Sequence, residues 1–114
     1  MKPNKNISMK IIWLSDARKG LLSIGKYIQK EFGVQRRLKF TEQVRKTEFL
    51  LLDNPHSGKR DPLFTERTYL YRSVVINGLS KLVYRVDGES IYVVAFWDTR
   101  QEPEAQAGKL KDKD

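Results

Sequence analysis

The sequence predicts an α+β fold in which a helical hairpin packs on one face of a mostly antiparallel four-stranded sheet. An apolar run and two helix-forming stretches occupy the first half of the chain, and three β-branched runs separated by Asn-Gly and Asp-Gly pairs occupy the second half. Because an amphipathic helix and a half-buried sheet each have an apolar surface to cover, packing one on the other buries both. The predicted element order is β-α-α-β-β-β.

The first half of the chain predicts one strand and two helices. Residues 8–14 (SMKIIWL) are rich in β-branched residues, as strands are. In residues 15–33, an N-capping Ser-Asp pair precedes apolar residues spaced by three and four, and a glycine ends the stretch, which indicates an amphipathic helix. A second helix with a basic outer face is expected over residues 34–52. The Asp-Asn-Pro sequence that follows should end it, because proline cannot continue a helix.

The second half predicts a loop and an antiparallel meander. Residues 55–67 (PHSGKRDPLFTER) contain two prolines and a glycine and are expected to form a long loop. Asn77-Gly78 and Asp87-Gly88 separate the strands that follow, and residues of these types tolerate the positive φ of tight hairpin turns. The three strands are expected at residues 69–76, 79–86 and 90–97.

Strand alternation predicts a cationic surface. Lys81, Val83 and Arg85 share one face of their strand, and the other, apolar face is expected against the helices. Lys81 and Arg85 should then point outward from a sheet face that stays partly open. Arg72 on the preceding strand and Arg100 after the last strand are expected to converge with them on one surface. Arginine suits such a surface because its planar fork binds phosphate with two hydrogen bonds.

Length and composition restrict the classes of protein. The 114 residues suffice for one domain, expected over residues 1–100, followed by a polar, flexible tail at residues 101–114. Cysteine is absent, which excludes disulfides and thiolate metal sites and fits a cytoplasmic protein. No run approaches the roughly 20 apolar residues of a membrane span. No zinc, calcium or nucleotide-loop motif occurs, and therefore no cofactor is expected.

The charge balance points to a polyanionic or acidic partner. The chain has 22 basic and 14 acidic residues, a formal net charge of +8 and a pI of about 9.8. A surface of this kind attracts nucleic acid, the ribosome or an acidic protein.

Several short motifs in this order resemble a known superfamily. They are Asp16-Ala17 at the start of the first helix, Asn54-Pro55 and Gly58 after the second, Tyr71-Arg72, residues 81–86 (KLVYRV) and residues 97–100 (WDTR). Over roughly residues 9–103 the chain resembles the RelE/ParE superfamily of toxins from bacterial type II toxin–antitoxin systems. It departs from the nuclease members, which often carry His or Tyr where Trp97-Asp98 stands.

The resemblance implies a partner and a choice of targets. Such toxins are neutralised by an acidic antitoxin, expected here to cover the first helix, the exposed sheet face or both. ParE-like members bind DNA gyrase and block replication, and the sequence favours this function. RelE-like members cleave mRNA on the ribosome without a metal, which is the alternative. A non-toxic nucleic-acid-binding module, from outside the toxin class, is a further alternative.

The candidate site residues depend on which function is correct. If the protein is a nuclease, the resemblance and the basic pattern assign transition-state stabilisation to Arg72, Lys81, Arg85 and Arg100. No convincing proton shuttle accompanies them: His56 is expected to be a polar turn residue, and Glu48, Glu66, Asp98, Lys59 and Lys81 are conceivable bases without a recognisable spacing. Binding of a target or a nucleic acid would use Lys59, Arg60, Arg72, Lys81, Arg85, Trp97 and Arg100. Trp97 either stacks on a base or caps the core, and the cap is preferred.

Overall fold

The computed structural model describes residues 9–110. Its centre is one mixed five-stranded sheet, and a helical hairpin packs on the first face of this sheet. The five strands lie in the order β1-β5-β4-β3-β2; β1 is parallel to β5 and the other pairs are antiparallel. The predicted α+β fold is confirmed, and a short fifth strand extends the predicted sheet. In chain order the elements are β1 (Lys10–Trp13), α1 (Ser15–Phe32), α2 (Val34–Asp53), β2 (Lys59–Arg60), a 3₁₀ turn (Pro62–Phe64), β3 (Arg72–Ile76), β4 (Ser80–Asp87), β5 (Ser90–Asp98) and α3 (Pro103–Gly108).

Two tight turns join β3, β4 and β5, as the sequence predicts. Asn77 and Gly78 have φ of 58° and 69°, and the Leu79 amide closes the turn on the Ile76 carbonyl at 3.1 Å. Between β4 and β5 the positive φ falls on Gly88, at 62°. Positive φ at these positions matches the right-handed twist of the paired strands. The predicted antiparallel meander is confirmed.

The helical hairpin covers the first sheet face. Gly33, with φ of 96°, lies between the two helices, as predicted. The start of α1 differs from the prediction, because Leu14 is the N-cap residue and Ser15 already belongs to the helix. The first core lies between the hairpin and the sheet. Its buried members are Ala17, Phe40, Val44, Leu51, Ile76, Leu82, Tyr84, Ile91, Val93 and Phe96.

Helix α1 runs directly over the backbone of β5 at Gly20. A Cβ at this position would lie 2.0 Å from the Phe96 carbonyl oxygen, which is far inside van der Waals contact. Glycine lowers the intrinsic stability of a helix by roughly 1 kcal/mol relative to alanine. Glycine is required at this position because only a residue without a side chain lets α1 approach the sheet so closely.

The second sheet face, expected to stay partly open, is covered over β4 and β5, whereas Val75 of β3 is 54% exposed on it. A β-bulge at Val83/Tyr84 in the β4–β5 pairing lies at the centre of the sheet. The loop after α2 and the segment after β5 both fold across this face, because each carries apolar side chains that would otherwise face water. The second core consists of Phe64, Tyr71, Val83, Val94, Ala95, Trp97, Ala107 and Leu110.

The C-terminal segment also differs from the predicted flexible tail. Within the described residues, α3 packs Ala107 against the second face, and Leu110 is buried beside it. The Arg67 guanidinium donates to the carbonyls of Ala107 (2.8 Å) and Leu110 (3.3 Å), the exposed acceptors at the end of this helix. The rest of the predicted tail, residues 111–114, and Ser8 of the predicted first strand lie outside the described residues.

The buried hydroxyl of Tyr84 fixes the start of the loop after α2. It donates to the Pro55 carbonyl at 2.8 Å and accepts the Gly58 amide at 2.9 Å. A Cβ on Gly58 would lie 2.6 Å from this hydroxyl, so the loop requires glycine there. Burial raises the pKa of Tyr84 above its ordinary value, against the opposing effect of the Gly58 hydrogen bond.

We expect Gly20→Ala to lower the free energy of unfolding by about 2 kcal/mol, because the added methyl group forces α1 away from Phe96. Urea denaturation measures the difference. Gly108→Ala is the matched control, since a Cβ there would have no atom within 4 Å, and it should change stability by less than about 0.5 kcal/mol. Equal effects of the two substitutions would contradict the close approach.

We expect Tyr84→Phe to cost about 1–3 kcal/mol at neutral pH, because a buried amide and a buried carbonyl lose their partner. Since the folded-state pKa lies above the ordinary value of 10.0, this contribution is complete below about pH 10 and declines as the pH rises through the folded-state pKa. The stability difference between wild type and variant should therefore narrow in alkali. A constant difference for Tyr84→Phe across this pH range would argue against the assignment.

Candidate binding surface

Half-exposed apolar side chains gather at one end of the helical hairpin. The C-terminal part of α1, the N-terminal part of α2 and the β3–β4 turn enclose a groove of about 240 Å³, which we call the hairpin groove. Tyr27 (46% exposed), Phe32 (56%) and Leu79 (53%) line it. Large apolar side chains exposed together in a concave site commonly mark a site of protein contact.

Cations surround this apolar surface. Arg36 and Lys39 from α2 and Arg100 after β5 line the hairpin groove, and the Arg36 guanidinium lies 5.2 Å from the centre of the Phe32 ring. The sequence predicts a basic outer face of the second helix. It does not indicate that this face meets Tyr27 and Phe32, because that meeting depends on how the hairpin folds back.

Arg100 is held in place by Asp98. The Arg100 Nε lies 3.0 Å from Oδ1 of Asp98, its Nη2 lies 2.6 Å from Oδ2, and its backbone amide donates to Oδ1 at 2.8 Å. The hydrogen bond from the Arg100 side chain lowers the pKa of Asp98, although partial burial opposes the shift. Hydrogen bonding to Asp98, and then to Tyr27, raises the pKa of Arg100. The two charges thus form a fixed pair at the edge of the groove.

A larger depression lies on the other side of the Tyr27–Arg100 contact. It has a volume of about 850 Å³ and lies between α1, the end of β5 and the C-terminal segment, and we call it the C-terminal depression. The two cavities share Ile24, Tyr27, Asp98 and Arg100. They are therefore neighbouring parts of one concave strip along α1.

Arg72 supports the loop after α2 from the helical side of the sheet. Its Nη1 donates to the Gly58 carbonyl at 2.8 Å, and its Cα partner on β4 is Tyr84. The guanidinium therefore belongs to the same hydrogen-bonded unit as the Tyr84 hydroxyl. This contact gives Arg72 a structural role in the fold.

Lys81 lies on the second face, as strand alternation predicts, and pairs with a buried carboxylate. Its Nζ lies 2.6 Å from Oδ2 of Asp61, whose side chain is fully buried, and 5.7 Å from the Trp97 ring. The other carboxylate oxygen of Asp61 accepts the Leu63 amide at 3.0 Å and caps the 3₁₀ turn. The charge of Lys81 thus offsets the cost of burying Asp61.

Arg85 is buried on the same face between two aromatic rings. Its guanidinium carbon lies 4.1 Å from the centre of the Tyr69 ring and 4.5 Å from that of Tyr92, and Nη1 lies 3.6 Å from Asp87. Desolvated cation–π contacts of this kind stabilise a fold by about 2 kcal/mol. Only 5% of Arg85 is exposed, so bulk solvent hardly reaches it.

The four cations therefore do not form the single surface that the sequence predicted. Arg72 faces the helical side, Lys81 and Arg85 lie beneath the covering segments, and Arg100 lies beyond β5 against α1. The physical reason is the burial of the second face, which sequence alternation alone does not reveal. Their assignment to a site, and that of Lys59 and Arg60, which lie exposed on β2, remains a prediction.

The remaining candidates occupy separate places. Trp97 is 7% exposed and packs beside Phe64 in the second core, the capping arrangement preferred from the sequence. Glu48 accepts the Trp13 indole N–H at 2.7 Å. His56 and Glu66 are exposed in the loop after α2.

Two further properties describe residues 9–110. Within this range no helix has the length and apolar character needed to cross a bilayer. The same residues contain no cluster of three or more His, Cys, Asp or Glu side chains with the geometry to hold a metal ion.

Comparison with known proteins identifies related sequences and folds. Residues 11–103 match the profile of the family described as "ParE toxin of type II toxin-antitoxin system, parDE". A solved structure titled "Chromosomal ParDE TA system from P. aeruginosa" has a similar fold, with a TM-score of 0.65 and 18% identity over 82% of this chain and 98% of that chain. No curated protein sequence matches significantly.

We expect Lys81→Ala to lower the free energy of unfolding by about 3 kcal/mol, because it leaves Asp61 charged and buried without its partner. Chemical denaturation measures the loss. Lys59→Ala, which also removes one lysine but at an exposed position, should change stability by less than about 0.5 kcal/mol.

The double substitution Asp61→Asn with Lys81→Met removes both charges and should be more stable than Lys81→Ala alone. If Lys81→Ala proved as stable as Lys59→Ala, the pair would contribute nothing to the fold.

Proposed function

The chain belongs to the ParE toxin family of type II toxin–antitoxin systems, and from this we propose that it arrests growth by binding DNA gyrase and not by cleaving RNA. Toxins of this family pair with an antitoxin in parDE systems. The choice of gyrase follows the resemblance to ParE-like toxins, and the choice of binding over cleavage follows from where the cations lie.

The separation of the cations is the observation that supports the proposal most strongly. Cleavage of RNA by the ribose 2′-hydroxyl needs a base, an acid and cations that meet around one phosphate. Lys81 and Arg85 are both on β4 but four residues apart, or about 13 Å along the strand. Arg72 projects from the opposite face. One phosphate would not contact these three side chains without a rearrangement of the sheet.

The partners of these cations support the same conclusion. Lys81 holds Asp61, Arg85 lies between two tyrosine rings, and Arg100 holds Asp98. Diverting Lys81 or Arg85 to a phosphate would break an existing buried contact. Among the conceivable bases, Glu48 already accepts a hydrogen bond from Trp13, and His56 lies in the exposed loop.

A toxin that acts by binding needs a shaped surface and no reacting groups. The hairpin groove offers exposed aromatic and aliphatic side chains with arginine and lysine at its rim. Aromatic residues and arginine provide much of the binding energy in protein interfaces. The net charge of +8 should increase the rate of association with acidic partners.

Induced expression with pulse-labelling of DNA and protein synthesis tests the proposal. We expect DNA labelling to fall first while protein labelling continues, and purified protein to inhibit gyrase supercoiling in vitro. The variants His56→Ala and Glu66→Ala, at exposed positions, should keep full toxicity because no proton transfer is involved.

Two results would contradict the proposal. Protein labelling that stops first, with cleaved mRNA, would support the endoribonuclease alternative. Continued growth, with DNA and protein labelling both unaffected, would support the non-toxic nucleic-acid-binding alternative.

A further inference from the structure

We propose that the outer face of α2 binds a second copy of this chain, so that two α2 helices pack antiparallel about a two-fold axis. The axis lies level with the middle of the helix, between residues 43 and 44. The inference rests on four exposed side chains, Leu38, Glu42, Arg45 and Phe49, which we call the α2 stripe. It goes beyond the proposed growth arrest and does not depend on gyrase being the target.

The α2 stripe leaves large apolar side chains in solvent. Leu38 is 58% exposed and Phe49 is 65% exposed. The opposite side of the helix supplies Phe40, Val44 and Leu51 to the first core. At 3.6 residues per turn, the four stripe residues lie within an arc of about 60° around the helix axis. They therefore form one surface on the side of α2 that faces away from the sheet, and a joined apolar surface of this kind commonly marks a protein contact.

The order of the residues along the stripe makes it complementary to itself. In a two-fold interface, a residue that contacts a second residue of the other copy is contacted in turn by its own equivalent. Positions equally far before and after the axis lie at the same level in an antiparallel pair. Leu38 therefore lies level with Phe49 of the second copy, and Glu42 lies level with Arg45 of the second copy. Each of these contacts occurs twice.

The charges of the stripe also match in this register. Glu42 and Arg45 are exposed, and within residues 9–110 neither forms an ion pair. In the dimer, each carboxylate meets a guanidinium of the other copy. Because the stripe holds one charge of each sign, the repulsion between two chains of net charge +8 comes from other surfaces. Physiological salt screens such repulsion beyond roughly 8 Å.

A depression on the same face fits the aromatic ring of the second copy. It has a volume of about 720 Å³, and its lining includes Gln35, Leu38, Lys39 and Glu42. Side chains at these spacings, i, i+3, i+4 and i+7, form the hole that receives one side chain of a facing helix in knobs-into-holes packing. The hole is centred next to Leu38, at the level of Phe49 of the second copy. One register thus places the ring in the hole and pairs the charges.

Sedimentation equilibrium of the purified chain tests the inference. The 20 residues of α2 span about 30 Å, so a single helix pair is a small interface, and we expect a reversible dimer with a Kd on the order of 10 µM. Phe49→Ala should weaken this dimer at least about tenfold, because it removes the aromatic side chain from the centre of the contact. Circular dichroism confirms that each variant is folded.

Leu50→Ala is the matched control. Leu50 is 66% exposed on the same helix, but it lies about 100° around the axis from Phe49 and therefore outside the stripe. Its affinity for a second copy should stay within about threefold of wild type.

A charge exchange tests the register itself. Glu42→Arg and Arg45→Glu each place like charges opposite each other in the dimer, and each variant alone should dimerise at least about tenfold more weakly than wild type. An equal mixture of the two variants should form a heterodimer with an affinity within about threefold of wild type, because every contact is then between opposite charges. Rescue by mixing would not follow from a change in the fold of either variant.

Three outcomes would overturn the inference. The first is a chain that stays monomeric up to about 500 µM, well above the expected Kd. The second is a dimer that Phe49→Ala leaves as strong as Leu50→Ala does, or that mixing the charge variants does not restore. The third is a monomeric wild type whose binding to the antitoxin or to gyrase is lost in Phe49→Ala, which would assign the stripe to that protein. The mass is measured without gyrase, so a failure of the proposed target leaves this result interpretable.

Discussion

The central strands β4 and β5 of this protein are buried on both faces, and most of its other features follow from that burial. Leu82, Val83 and Tyr84 follow one another along β4, point to alternate faces and are all fully buried. The helical hairpin covers one face, and two segments with little regular structure cover the other. Buried apolar area is the main favourable contribution to folding. For a sheet in a chain of this size, covering both faces provides much of it.

Burial of the second face also determines what the cations do. A charged group beneath a covering segment needs a partner, because its desolvation is otherwise costly. Lys81 has Asp61, and Arg85 has Tyr69 and Tyr92. These side chains hold the loop after α2 and the strands together. Two of the basic residues considered for a phosphate-cleaving centre, Lys81 and Arg85, are in this way committed to the fold.

The helical hairpin provides that surface for a different physical reason. Gly20 lets α1 approach β5 closely. Tyr27 and Phe32, further along the same helix, stay about half exposed and line a groove beside Arg100. Sequence patterning places these residues on helices, but it does not show which apolar residues remain exposed. Arg100 is recognisable from the sequence as a candidate, whereas its pairing with Asp98 and Tyr27 is not.

Local structure could be predicted from the residues alone. Helical periodicity up to Gly33, the break at Pro55 and the turns at Asn77-Gly78 and Gly88 follow from backbone conformation, which nearby residues control. Alternation also assigns Lys81 and Arg85 to the correct face. Burial of that face emerges only in the folded chain, because the covering residues Phe64 and Leu110 come from segments whose composition is typical of a polar loop and a tail. Their apolar side chains are few and aperiodic, so they reveal their role only when the folded sheet offers a surface to cover.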